Sequence, residues 1–209
     1  MPTVASTEPY PWPYDAVMEP SRLALIIAGA QRGWATRSRG SERVHDVVGS
    51  LAAELRRIGA LVVAVHHGHD GPPRPSGLPP RRGSEDWQPL FAPAEVDVAV
   101  EAGGISAFHG SVLDDVLRSR GVDHLVLAGF GHEAAVDSTL RGANDRGFEC
   151  LVLSDAVASF QPELGARALA SVTMSGGIFG ALGTSTDLLD AFRAFRRPAS
   201  SAPTLEVVL

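Results

Sequence analysis

The chain has 209 residues, enough for one domain with a full hydrophobic core, since a domain of this size buries roughly three quarters of the surface its unfolded chain exposes. With 44% hydrophobic residues, 20% charged residues, a formal net charge of -6 and no basic patch, it has an ordinary globular composition that excludes nucleic acid or an anionic membrane as a general partner. Its one cysteine, Cys150, excludes an internal disulfide framework and a multi-cysteine metal site, and within the run FECLVL it reads as an inert buried thiol.

Residues 1–21 form an arm rich in proline and aromatics, too stiff for a flexible linker and too short for a domain. The arm is expected to dock on the body or on a neighbouring subunit. It has neither the basic start nor the apolar core of a secretory signal, and no apolar run approaches the ~20 residues of a membrane span. A cytoplasmic protein is expected.

A single domain over residues 22–196 follows. Strand-length apolar runs, LALIIA (23–28), ALVVAV (60–65), VDVAV (96–100), HLVLAG (124–129) and CLVLSD (150–155), alternate with amphipathic segments, the pattern of a parallel sheet with crossover helices. The helix after the first run carries Val44, Val47, Val48, Leu51 and Leu55 on one face, with Ser41 as its N-cap and Gly59 as its stop. Further helices are predicted over 111–120, 133–146, 162–174 and the segment TDLLDAFRAF, with a sixth strand near 178–182. The sum is a doubly wound, three-layer α/β/α sandwich on a six-stranded parallel sheet. Residues 70–93 form a Pro/Gly loop of the length of a lid or binding loop. The tail, 197–209, starts like a disordered segment whose last five residues could add to a sheet edge.

Ligands of open parallel sheets bind at the carboxyl ends of the strands. There the chain reads ALIIAGAQRGW after the first strand, SAFHGSVL after the third, and GFGHEAAV followed by ANDRGFECLVLSDAVASF and SGGIFG after the fourth. With the arm PYPWPYD, these motifs resemble, in order and interval, the isochorismatase-like hydrolases, or cysteine hydrolase superfamily, and within it the biuret-amidohydrolase-like branch. The resemblance covers nearly the whole chain and implies that fold, an oligomeric assembly, and hydrolysis by a Cys nucleophile with an Asp base and a Lys that pairs with both.

Placed on this sequence, the three catalytic positions fall on Gly29, Ala102 and Ala135, and a second acidic position of the first motif falls on Gly33. The changes read as one coordinated event. Removing one member of a buried ion pair strands the other at roughly 3–5 kcal/mol, whereas replacing both can be neutral or stabilising. Without either charge a thiol at 135 would not be activated. The remaining pocket is expected to be roomier and more apolar, lined by Gln31, Trp34, His67, His69, Phe108, His109, Gly131, Ala134 and Ala135, with Trp87 of the loop nearby. The amides of 134 and 135 are expected to point into it as a residual oxyanion or carboxylate cradle.

Two groups stand as replacement chemistry. His132 takes the place of a Thr of the family turn and reads as a general base or as space filling, while Glu133 reads as a favourable charge in the first turn of its helix. His67 and His69 match the metal-holding Asp-x-His of nicotinamidases in the superfamily, but supply two ligands where a catalytic zinc needs three, with His45, His109 and Asp70 as candidates for the third. No metal and no cofactor is therefore assigned. The expectation is a triad-less family member, a pseudoenzyme that binds a small neutral molecule or a partner subunit as a homo-oligomer or beside an active homologue. The alternative is an enzyme with rebuilt acid-base or metal-assisted chemistry.

Overall fold

The computed structural model describes residues 3–196. The apolar runs become β1 (Leu23–Ala28), β2 (Leu61–His67), β3 (Val98–Ala102), β4 (His124–Phe130), β5 (Glu149–Ala158) and β6 (Ala181–Gly183). They form one six-stranded sheet in the order β3-β2-β1-β4-β5-β6, every neighbouring pair parallel. Strands covered on both faces need unbroken apolar sequence, and β1 and β4 are buried at every position. The chain builds outward from β1 through β2 to β3 and then returns to place β4 on the other side of β1. The strand order therefore reverses between β1 and β4, where an open α/β sheet leaves a crevice at its carboxyl edge.

Six helices cover the sheet: α1 (Arg32–Ala35), α2 (Ser41–Ile58), α3 (Leu113–Ser119), α4 (Asp137–Asn144), α5 (Pro162–Met174) and α6 (Ser185–Arg196). Helix α2 buries Val44, Val48, Leu51, Ala52 and Leu55 and packs against α6 on one face. Right-handed crossovers place α3, α4 and α5 on the other. A π-helical turn, His132–Val136, leads into α4; such turns widen the backbone ring and recur at functional sites.

Several boundaries differ from the sequence expectation. Gly40, at φ 73, takes the N-cap of α2 and Ser41 begins the helix, because only the left-handed residue lets the chain enter at that angle. The stop falls at Gly59, whose left-handed backbone sends its N–H to the carbonyls of Leu55 and Arg56. Strands β3 and β6 begin later than the apolar runs suggest, since hydrophobicity does not mark where ladder pairing starts. The β2–β3 crossover holds no α-helix, only a 3-10 turn at Glu85–Trp87.

The arm packs on the body. Glu8 and Leu182 exchange backbone hydrogen bonds of 3.0 and 2.7 Å, which extends the sheet past β6 with an antiparallel bridge. Trp12 is fully buried and meets the His124 ring edge to face at 5.7 Å. Thr7 staples the arm's turn, its hydroxyl donating to Val4 O at 2.7 Å and accepting from Trp12 N at 2.8 Å. The tail, 197–209, lies outside the described residues.

Cys150 is fully buried in β5, and burial, reinforced by the neighbouring Glu149 charge, pushes its thiol up. Thiolate is the reactive species. Alkylation by iodoacetamide is therefore expected only through unfolding: one cysteine labels promptly in urea, whereas the native protein stays unlabelled over the same period by intact mass.

Candidate functional site

The crevice between β1 and β4 is built on two left-handed glycines. Gly29 follows β1 at φ 66, with its Cα so close to the opposite strand that a Cβ would lie 2.6 Å from Phe130 O. Gly131 follows β4 at φ 66, where a Cβ would lie 2.3 Å from Trp34 Cε3 and 2.6 Å from Phe160 Cζ. Two large rings thus rest on a position that has no side chain. Trp34, on the short helix α1, is fully buried, stacks on Phe160 at 5.5 Å and leans on His67 at 5.4 Å.

The polar groups around this plug are largely committed to the scaffold. The Gln31 side chain, fully buried, donates to His67 O at 2.9 Å and accepts from His67 N at 2.5 Å, joining the ends of β1 and β2 as an extra rung would. Gly131 N donates to Ser38 Oγ at 3.0 Å, and that hydroxyl donates to Trp34 O at 2.8 Å, so one serine holds both the turn and the ring that covers it. Ala134 N and Ala135 N both donate to Gly131 O, at 2.9 and 2.8 Å. The expected cradle is corrected on this point, because these amides close their own helical turn and do not face a ligand. Glu133 accepts from Phe160 N at 3.2 Å and Gln161 N at 2.8 Å. It therefore caps the entrance to α5 instead of its own helix, and in doing so it fixes Phe160 over Gly131.

The expected roomier floor is also corrected. Ala102 and Ala135 are fully buried, and the indole of Trp34 fills the space beside the glycines. The loop after β2 roofs the crevice. Leu90 N donates to Ala30 O at 3.1 Å, Arg32 N to Gln88 O at 2.9 Å, and Arg82 N to His69 O at 3.1 Å. Trp87 lies on Gly68, where a Cβ would fall 2.3 Å from Cζ3, and Arg82 ties the loop to Asp70 and Glu101.

The buried atoms without a hydrogen-bond partner in and beside this region include Trp34 Nε1, His66 Nε2, His67 Nε2, His69 Nδ1 and His132 Nδ1. Burial lowers the pKa of His67 to about 4, against the support of the Gly104 carbonyl. Its Nδ1 lies 3.0 Å from Gly104 O and must carry the proton, because a carbonyl can only accept. Its Nε2 is then a free acceptor, while Trp34 Nε1 is a free donor. His132, almost fully buried, is likewise lowered by burial, with Asp137 and Glu133 opposing. His66 follows the same rule, with Glu101 opposing, and packs 5.9 Å from Trp87.

Not every predicted residue converges here. Phe108 stacks on Phe148 at 5.8 Å, and with the exposed His109 it lines a separate open cavity of about 570 Å³ beside α4, together with Asp137, Arg141 and Arg146. His69 is buried in the loop, and His45 stacks on Phe91 at 4.9 Å. Among the described residues no third ligand joins His67 and His69, and the one metal-compatible trio is Asp15, His124 and Glu149. The sequence reading treats His124 only as the start of a strand; the carboxylates around it come from the arm and from β5, which no local pattern links. A further apolar cavity of about 250 Å³, lined by Ala35, His45, Leu90 and Phe130 among others, also went unread, because its walls come from three distant segments.

Two outcomes follow. Gly29→Asp should cost on the order of 1–3 kcal/mol for its left-handed backbone alone, with a further loss from displacing Phe130; urea unfolding measures it. His67 is held neutral, with its folded value of about 4 below the ordinary 6.5. Its contribution to stability is complete above pH 6.5 and is lost as the pH falls toward 4. His67→Gln should flatten that limb of a stability-pH curve, and an unchanged limb would assign it to other groups.

Comparison with known proteins agrees with this architecture. The isochorismatase domain family matches residues 23–187. A ureidoacrylate amidohydrolase, RutB of Variovorax paradoxus, is 27% identical over 86% of this chain and 85% of its own. The solved structure of an isochorismatase family protein from Burkholderia thailandensis is 28% identical, with a TM-score of 0.69 over 85% of this chain and 98% of that one. A cysteine hydrolase from Pseudomonas syringae pv. phaseolicola shares the fold at a TM-score of 0.74 and 21% identity, over 85% and 95% of the two chains. The sheet order, the arrangement of the crevice and the matched residues together establish that this chain belongs to the isochorismatase family.

Proposed function

We propose that this protein is a family member without cysteine-hydrolase activity, which binds a small neutral molecule at the carboxyl edge of its sheet and releases it unchanged. The observation that carries the reading is the Trp34 ring seated on Gly131. Where the resemblance implies a converging Asp, Lys and Cys, the chain has Gly29, Ala102, Ala135 and a buried indole. The Glu133 carboxylate is taken up by Phe160 N and Gln161 N, and the histidines are biased toward the neutral form by burial.

The unpartnered atoms favour the ligand class. A buried polar atom without a partner costs roughly 1–3 kcal/mol, so Trp34 Nε1, His67 Nε2 and His132 Nδ1 favour a molecule that offers both an acceptor and a donor without net charge. An amide or urea group has that character. Entry requires Trp34 to leave Gly131, which makes binding and ring movement one event. The Asp cannot be returned by simple substitution, since a Cβ at Gly29 would lie 2.6 Å from Phe130 O.

A second reading rests on His132, whose neutral ring and free Nδ1 suit a general base. One experiment separates the two. The protein is incubated with a panel of ureido acids and primary amides, ureidoacrylate included because the amidohydrolase relative is named for it, and ammonia release is followed beside tryptophan fluorescence. The proposal expects saturable quenching with no turnover above the uncatalysed rate. Turnover that His132→Ala abolishes would establish the second reading in its place.

A further inference from the structure

At the opposite, amino edge of the sheet, His124 opens β4, Glu149 opens β5 and Asp15 reaches in from the arm. We propose that these three residues bind a divalent transition-metal ion, zinc by ligand type, which fastens the N-terminal arm to the sheet.

The His124 side chain is only 4% exposed, and its Nδ1 lies 2.6 Å from Asp123 Oδ1. No hydrogen bond forms across that approach; a carboxylate oxygen accepts, so the ring's hydrogen bond to Asp15 puts the proton of a neutral ring on Nε2. There it faces two more carboxylates, Asp15 Oδ1 at 3.2 Å and Glu149 Oε2 at 3.8 Å. One proton shared between two anions leaves the second uncompensated, and a cation of higher charge in its place would hold both. A single proton on Nε2 bonds to one of the two oxygens only. A metal ion bonds to all three atoms.

The dimensions suit the metal. Ligands about 2.0–2.2 Å from a tetrahedral zinc stand about 3.3–3.6 Å apart, and the three donor atoms here lie within 4.8 Å of one another. The surroundings are those of a supported site. Asp123 lies behind the ring and is itself held by Arg22, which donates from Nε at 2.9 Å, while Tyr14 N donates to the second oxygen of Glu149. Such outer partners set ligand tautomer and orientation in metal sites. The charge also points to a cation: Asp15, Asp123 and Glu149 gather around His124, and Arg22 pairs with Asp15 and Asp123. Glu149 lines a cavity of about 420 Å³ with Tyr10 and Tyr14, which provides a path for the ion and a place for its fourth ligand.

The test uses the full chain, stripped with a chelator and titrated with zinc chloride alone. One equivalent should bind, and the Tm should rise by roughly 5–10 °C at a hundredfold excess over Kd. Asp15→Asn and Glu149→Gln, each keeping the shape of the side chain, should weaken binding at least tenfold while the metal-free Tm stays near that of the parent. Zinc should also slow proteolytic removal of residues 1–21 in the parent and leave the Asp15→Asn variant unaffected. Absence of one-equivalent binding, or binding of equal strength in both variants, would overturn the proposal, the latter by placing the ion elsewhere, for instance on the His67–His69 loop.

Discussion

The contact between the Trp34 indole and the bare backbone of Gly131 organises the carboxyl edge of this protein. A parallel sheet that reverses its strand order leaves a crevice at that point whatever the sequence does. A crevice must be filled, hydrated or used. Here a tryptophan from a one-turn helix fills it, Phe160 flanks it, and Ser38 bonds to both the ring's backbone and the turn beneath. Each of these depends on position 131 having no Cβ. Glu133 joins the same unit from the far side, since its carboxylate holds the backbone of Phe160 and Gln161. The helix that would present a nucleophile is thereby built into a packed, hydrogen-bonded floor.

Seen this way, Gly29, Ala102 and Ala135 are consistent with one another. A buried carboxylate and ammonium are tolerated only as a pair, and apolar replacement of both members removes two desolvation costs together. On the proposed reading the absence of charge also permits the indole, because a large apolar ring beside an unpaired buried charge would deny that charge its water. The backbone then adapts to the new packing. Gly29 approaches Phe130 O more closely than any side chain allows, so the change is hard to reverse one residue at a time. This explains the neutral character of the remaining site better than loss of a single nucleophile does.

Much of the architecture is legible in the amino-acid order. The unbroken apolar runs at 23–28 and 124–129 mark strands covered on both faces, and Gly59 marks the end of α2. The crevice is legible as a place, through the glycines at 29 and 131, but not as a shape. The sequence presents Ala102 and Ala135 as subtractions, which suggests an enlarged cavity. Whether Trp34 turns into that space or lines it depends on rotamers and on the roof supplied by residues 69–91, and neither has a sequence pattern. The direction of Glu133 is hidden for the same reason: a carboxylate in a first helical turn reads as a charge on its own helix dipole, and only the return of β5 brings two other amides to it. The cluster around His124 is the extreme case, with residues from the arm, β4 and β5, and Asp15 lying 109 positions before His124.

The two edges of the sheet have been treated in opposite ways, and the difference follows from where each can obtain countercharge. At the carboxyl edge the strands end in glycines and small apolar residues, and the surrounding segments supply rings and backbone carbonyls. An isolated charge there would be unsupported, and burial already favours the neutral form of its histidines. At the amino edge the arm lies over the strand starts and brings Asp15 beside Asp123 and Glu149. Arg22 pairs with Asp15 and Asp123, while Trp12 covers the His124 ring from the side. Charge at that edge works beside the arm's own buried apolar residues, Val4, Trp12 and Met18. The fastening of the arm and the packed crevice are thus separated along the strand axis, with the Asp15–His124–Glu149 cluster at one end and the Trp34–Gly131 contact at the other.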